Sequence, residues 1–306
     1  MIHHAATSDR LLRLVVRRFP DAVFHSPGPI WGVKRPARAV ITLHDCIYRH
    51  FPNYSGRFFL RRILMQGAEW FAAGASMVLT DSEFSRRDLI ARTCVPESKI
   101  EVLYPWVGSD FLRPISSDAV SALRTRLNLP RCFWLYLGGY DYRKNVDFLL
   151  KAYAFAARER SLPPLVLAGS VPKTATRSNC DVRGSIERLQ LTRDQVILPG
   201  SIEAHDLPGL YRAASLLVYP SLMEGFGLPP AEANAVGTAV LSSHAGSLPE
   251  VVSNPNSLFD PRDEGALVEK LLAASDDCAQ FVSPLSPRFT QGFAIARYLD
   301  LIRNFA

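Results

Sequence analysis

Short β-rich apolar runs alternate with longer amphipathic segments along most of this chain, and that alternation restricts what it can fold into. It is the pattern of βαβ units, in which a helix carries the chain between parallel strands. In the first half, residues 22–26, 39–45, 76–82 and 100–107 read as strands. Residues 56–74 and 83–93 read as helices, the second capped by Asp81 or Ser82. A second series starts at Cys132, with strands at 133–137, 165–168, 195–198, 216–219 and 239–243. Helices at 145–158, 178–189, 204–213 and 229–236 lie between or after them, and helices at 265–275 and 289–305 close the chain. The expected class is α/β: two Rossmann-like, doubly wound domains facing a cleft, with ligands at the carboxyl ends of strands. Residues 105–130, with proline at each end and one short helical pattern at 117–127, read as the interdomain region.

Composition agrees with two ordinary cores, since 48% of 306 residues are hydrophobic. No run approaches the roughly 20 apolar residues that span a bilayer, and the first ten residues lack a signal-peptide core. The expected location is cytoplasmic, at most peripheral to the inner membrane face. The five cysteines (Cys46, Cys94, Cys132, Cys180, Cys278) lie far apart without a C-x-x-C pair, so reduced buried thiols are expected and no metal site. Charge is uneven. Residues 1–137 carry 19 Lys and Arg against 11 Asp and Glu, a net of +8, whereas residues 138–306 carry 16 against 18, a net of −2. Two readings stand for the basic half: a surface for the phosphates of an anionic membrane, or a solvated arginine-rich face. No nucleic-acid-binding signature accompanies the charge, so nucleic acid is not an expected partner.

The segment from Tyr219 to Glu232 concentrates the chemistry. An apolar strand ends at Tyr219, a Pro- and Gly-rich turn follows, and a helix starts near Pro229, where proline is well tolerated. Gly225 and Gly227 let a ligand approach the backbone, and the helix amino terminus suits a phosphate. Glu224 precedes the turn and Glu232 follows about one helical turn inside, which lets both face one pocket and accept from sugar or ribose hydroxyls. A second segment, Leu135 to Asn145, is a strand, a break at Gly138 and Gly139, and then Arg143-Lys144 just before a helix. Two cations there oppose the helix dipole, which points to an anion between them.

The string Glu224-Gly225-Phe226-Gly227-Leu228-Pro229-Pro230-Ala231-Glu232 resembles the E-x7-E motif of glycosyltransferase family 4, retaining enzymes of the GT-B fold. That resemblance implies a nucleotide-sugar donor, with Glu224 touching the transferred sugar and Glu232 the ribose. Phe226, Gly227 and Leu228 then supply backbone contacts. The R-K-N string is similar to the family's own, which assigns the donor diphosphate to Arg143 and Lys144. No D-x-D occurs in the chain, and cations commonly replace the metal in such enzymes, so no metal and no cofactor are expected. By the same resemblance, Gly138, Gly139 and Gly169 line the donor, the loop holding Glu203 reads its base, and the glycine-containing turn at 242–250 lies beside it. His44, at a strand end with Asp45 placed to orient it, is a catalytic candidate that touches donor or acceptor; a loop-capping role fits it equally well. The 80–85 string resembles the family's S-x-F-S, and His25 is a weaker candidate.

The expected domains are 1–115 on the acceptor side, 116–288 for the nucleotide sugar, and a helix at 289–306 packing back toward the first. The chain departs from the family at its start, where no opening strand and glycine-rich loop are found. The resemblance runs from about residue 19, so the first domain is expected to be incomplete, through a misplaced start, a truncation or a part supplied by a partner. The expected activity is retaining transfer of a hexose, with mannose the family's habit, to a glycan or lipid-linked acceptor in cell-surface polysaccharide or glycolipid synthesis. The alternatives are a truncated nucleotide-sugar-binding module and, behind it, a nucleotide-sugar epimerase.

Overall fold

The computed structural model describes residues 14, 17–19, 22–29, 38–51, 58–172, 176 and 178–303, the backbone alone for 58–62. The chain divides into two compact units. One runs to Pro105 and takes up the chain again at Gly292; the other is Trp106–Gln291. The division falls at 105/106, inside the expected linker, rather than at 115/116.

The first unit is built on four parallel strands side by side in chain order: β1 (Phe24–Ser26), β2 (Ala39–Thr42), β3 (Met77–Thr80) and β4 (Ile100–Val102). Helices α1 (Ile47–His50), α2 (Phe58–Ala73) and α3 (Glu83–Arg92) connect them. Successive strand residues face opposite ways. Ala39, Ile41, Val78 and Ile100 pack with Phe71 and Ala72 of α2 and Leu89 of α3, while Val40, Met77 and Leu79 pack with Leu301 of the final helix, Gln291–Arg303. Tyr298 of that helix bonds His25 Nδ1 at 2.9 Å, and Arg297 pairs with Glu101 at 2.9 Å. His25 Nε2 lies 3.0 Å from Thr42 Oγ1, so this histidine fastens the helix to the sheet. The strands are shorter than the sequence suggests. The stretch expected to run to 107 stops at Val102, because Pro105 has no N–H for a ladder. Ser82 is the cap of α3, accepting from Ser85 N at 3.0 Å, which leaves the Asp81 carboxylate for another partner.

The second unit holds α4 (Ser117–Arg126), β5 (Trp134–Leu137), α5 (Val146–Glu159), β6 (Leu165–Ala168), α6 (Val182–Arg188), β7 (Val196–Gly200) and α7 (Leu207–Ala213). β8 (Leu216–Tyr219), α8 (Leu228–Val236), β9 (Ala239–Ser243), α9 (Leu248–Val251), β10 (Leu258–Phe259) and α10 (Glu264–Asp276) complete it. Its six parallel strands lie in the order β10-β9-β8-β5-β6-β7. Trp134, Leu165, Leu216 and Leu241 meet α5 and α10 on one face. Leu135, Val166, Leu217 and Val240 meet α4, α7 and α8 on the other. Helix α6 starts at Val182, not 178, because residues 178–180 bond back to the turn after β5: Tyr142 N donates to Ser178 O and Cys180 N to Tyr140 O. Asp181 then caps it, accepting from Gly184 N at 3.1 Å. All five cysteines are free, yet Cys94 and Cys132 are exposed rather than buried, since they sit in turns beside α3 and β5. Among the described residues no helix is long and apolar enough to cross a membrane.

Candidate active site

Strand order locates the site. From β5 the chain steps outward through β6 to β7, then returns to the far side of β5 as β8 and steps outward the other way. The reversal leaves an open crevice at the carboxyl ends of β5 and β8, the place where doubly wound sheets take ligands. The loops leaving those two ends are the ones that carry Arg143-Lys144 and Glu224.

The β5 loop ends in a 3₁₀ turn, Tyr142–Lys144, closed by Asn145 in the left-handed region at φ 57°. Few residues but glycine and asparagine hold that conformation. The Asn145 amide also donates to Pro220 O at 3.2 Å and Pro261 O at 2.9 Å, and Leu222 N donates to Arg143 O at 2.7 Å. Sequence reading gave Asn145 no task; the structure makes it the stitch between the two loops.

Glu224 is buried, and its carboxylate is the anion between the two cations. Oε1 accepts from Lys144 Nζ at 2.8 Å and Tyr219 Oη at 3.1 Å, and Oε2 lies 2.6 Å from Arg143 Nη1. Lys144 Nζ also donates to Tyr219 Oη at 2.7 Å, and Arg143 Nη1 donates to Met223 O at 2.8 Å. Burial pushes the Glu224 carboxyl up, but the charges of Lys144 and Arg143 overcome it and hold the group below the usual glutamate range. Burial, opposed by Arg143 and Lys144 and aided by the charge of Glu224, raises Asp141 nearby.

The turn after β9 fixes the Glu224 backbone. Ser247 Oγ donates to Glu224 O at 3.0 Å and Phe226 O at 2.8 Å. Gly246 sits so close that a β-carbon there would lie 2.6 Å from Glu224 O. Gly227 has φ +103°, and a β-carbon on it would meet Leu248 Cδ2 at 2.7 Å. Phe226 is buried edge-on against Phe289, with ring centroids 5.0 Å apart. Helix α8 offers an anion less than expected at its start. Pro229 and Pro230 carry no N–H and Ala231 donates to Gly227 O, so the first turn presents the N–H of the exposed Leu228.

Gly138 and Gly169 lie back to back at the ends of β5 and β6: Gly169 has φ +144°, and its β-carbon would fall on Gly138 O. Gly139 O accepts from Tyr136 Oη, and Gly169 N donates to Gly200 O at 2.9 Å. Glu203 is exposed before the 3₁₀ turn Ala204–Asp206. Glu232, on α8, takes a hydrogen bond from Tyr211 Oη at 2.8 Å; burial raises its carboxyl, with Tyr211 opposing. The two glutamates thus have separate partners.

His44 belongs to the first unit. Its orienting partner is Asp81, 3.0 Å from Nδ1, and not Asp45, whose carboxylate instead accepts from Ile47 N at the start of α1. His44 Nε2 contacts Pro27 O at 3.1 Å. A carboxylate and a carbonyl are both acceptors, so the two contacts favour the protonated ring. The Asp81 hydrogen bond, against partial burial, raises its pKa.

Residues 124–281 match the family described as glycosyl transferases group 1, and residues 2–111 match Glycosyltransferase Family 4. The chain belongs to the group 1 glycosyltransferases. The second match begins at residue 2, earlier than the point near residue 19 where the motif resemblance starts. The O-antigen chain mannosyltransferase B of Escherichia coli is 30% identical over 86% of this chain and 67% of that protein. The serotype-specific mannosyltransferase WbdA of Escherichia coli is 32% identical over 80% of this chain and 31% of its own length. Among solved structures, Anabaena HepE in complex with UDP superposes with a TM-score of 0.73 at 20% identity, over 96% of this chain and 82% of that one. This group 1 glycosyltransferase therefore has the α/β architecture of the GT-B enzymes.

Proposed function

We propose that this glycosyltransferase moves mannose from a nucleoside diphosphate donor to a hydroxyl acceptor in polysaccharide or glycolipid synthesis, with retention at the anomeric carbon. The observation that carries the reading is the pair Arg143 and Lys144 sharing the single carboxylate of Glu224 at the switch point. The Asp141 carboxylate stands farther off, 3.6 Å from Arg143 Nε, and burial raises it, so Glu224 is the close counter-charge to both cations; that balance favours a further anion, which is what a diphosphate supplies. The names of the Escherichia coli relatives support mannose and polysaccharide, and the UDP held by HepE supports a nucleotide.

In this reading the reaction is driven by charge stabilisation. As the sugar–oxygen bond breaks, negative charge grows on the departing diphosphate, and the charges of Lys144 and Arg143 stabilise it. Lys144, on a flexible stem, turns from Glu224 to the diphosphate. Glu224 positions the sugar, Glu232 bonds the ribose, and the glycine turns after β5 and β6 admit the nucleotide. Side-chain cations stand in for a metal ion, so chelation by EDTA leaves turnover unchanged. The test is to select a donor by thermal shift from GDP-mannose, GDP-fucose, UDP-glucose and UDP-N-acetylglucosamine, then follow nucleoside diphosphate release with a mannosyl oligosaccharide. Acceptor-dependent release and an α-linked product by NMR are expected. Donor binding without release would instead make the chain a nucleotide-sugar-binding module.

A further inference from the structure

We propose that Tyr219 is a positioning residue for transfer: its hydroxyl holds Glu224 Oε1 in place while Lys144 is away on the donor diphosphate. The proposal rests on the donor-site reading of Arg143, Lys144 and Glu224.

The geometry is a closed triangle. Lys144 Nζ reaches Tyr219 Oη at 2.7 Å and Glu224 Oε1 at 2.8 Å, and Tyr219 Oη reaches the same Oε1 at 3.1 Å. A phenol has one O–H, so the hydrogen-bond roles are fixed. Tyr219 accepts from the ammonium and donates its proton to the carboxylate. The two donors on Oε1 differ in freedom. Lys144 hangs on four methylenes above the Tyr219 ring, 5.0 Å from its centroid. Tyr219 is fully buried at the end of β8, a central strand between β5 and β9, and its ring cannot follow a ligand. When Lys144 turns away, Oε1 keeps the tyrosine. Without it, a buried carboxylate would lose one of its two charged partners with nothing in its place.

The ionisable groups around Glu224 are Arg143, Lys144 and Asp141 from the turn after β5, Tyr136 of β5 and Tyr219 of β8. Burial, followed by the charge of Glu224, holds the Tyr219 phenol far above its ordinary value, so it stays a donor throughout the working range. Asp141 adds like charge, which makes Glu224 more dependent on its donors when Lys144 leaves. Tyr219 donates to the Glu224 carboxylate without adding net charge, and it stands on a central strand.

The experiment compares Tyr219→Phe with wild type, using whichever of the four nucleotide sugars gives the largest thermal shift. Donor Kd should change little, kcat should fall roughly tenfold, and the acid limb of the kcat–pH profile should move up by roughly one unit. That limb belongs to the donor complex, in which Lys144 has moved. Site-specific 3,5-difluorotyrosine at position 219, a stronger hydrogen-bond donor of nearly the same shape, should move the limb the opposite way. Wild-type kcat and an unmoved limb in Tyr219→Phe would overturn the proposal. If that variant does not fold, an unmoved limb with difluorotyrosine overturns it alone. Lys144→Met is measured in parallel: wild-type turnover there would sink the donor-site reading itself, whereas a dead Lys144→Met beside a fully normal Tyr219→Phe sinks only the role of Tyr219.

Discussion

Glu224 has two jobs that pull against each other. It neutralises Arg143 and Lys144, and in the proposed reaction it yields Lys144 to the donor diphosphate. Glu224→Gln takes the close carboxylate from both cations and leaves Arg143 with Asp141 at 3.6 Å, a loss of about 3 kcal/mol for a broken buried pair. A thermal midpoint lower by roughly 6–12 °C is expected, partly restored by added nucleoside diphosphate. An unchanged midpoint would mean that the ion pairs contribute nothing. His44 makes a prediction with a definite sign. Its folded pKa is raised above the unfolded value of 6.5, so its contribution is fully present below that pH and fades as pH rises through the folded value. Thermal midpoints of wild type should therefore fall relative to His44→Gln as pH rises above 6.5. Parallel curves would refute the pairing with Asp81. Because His44 is half exposed, the effect is small.

At the level of elements, the loops are set by three short-range devices: the left-handed Asn145, the glycines at 227 and 246, and the Ser247 hydroxyl. Asn145→Ala removes two hydrogen bonds and forces alanine into the left-handed region, a loss of roughly 2–3 kcal/mol measurable by denaturant unfolding. Asn145→Gly should recover about 1 kcal/mol of it, by relieving the backbone alone. Equal stability of the two variants would show that strain plays no part. Periodicity made most of this layer legible. The strands of the second unit lie where alternating apolar runs placed them, and the glycine breaks and Pro229 marked the loop ends. Pairing across the sheet was not legible, since Lys144 and Glu224 stand 80 residues apart and meet only because the strand order reverses. The same gap hid Asp81 as the partner of His44: Asp45 is adjacent in sequence, but α1 takes its carboxylate first. β10 escaped because two residues cannot show a period, and the late start of α6 reflects bonds back to residues 140 and 142.

For the whole molecule, the uneven charge is the property no single contact explains. With +8 in residues 1–137, we expect binding to phosphatidylglycerol vesicles in a sedimentation assay, weakened by salt, and little binding to phosphatidylcholine. Equal binding to both would leave the basic half as a solvated face. Of the basic residues that make the excess, Arg17, Arg18 and Arg87 are exposed, whereas Arg86 pairs with Glu97; Arg10, Arg13, Lys34, Arg35 and Arg57 lie outside the described residues. Family membership, the reversed sheet and the paired cations converge on one claim, that the crevice between β5 and β8 holds a donor diphosphate. Nucleoside diphosphate release by Lys144→Met tests it most directly. A fall of roughly 10²–10³ in turnover, with the fold intact by circular dichroism, is the predicted result; release at the wild-type rate would contradict it.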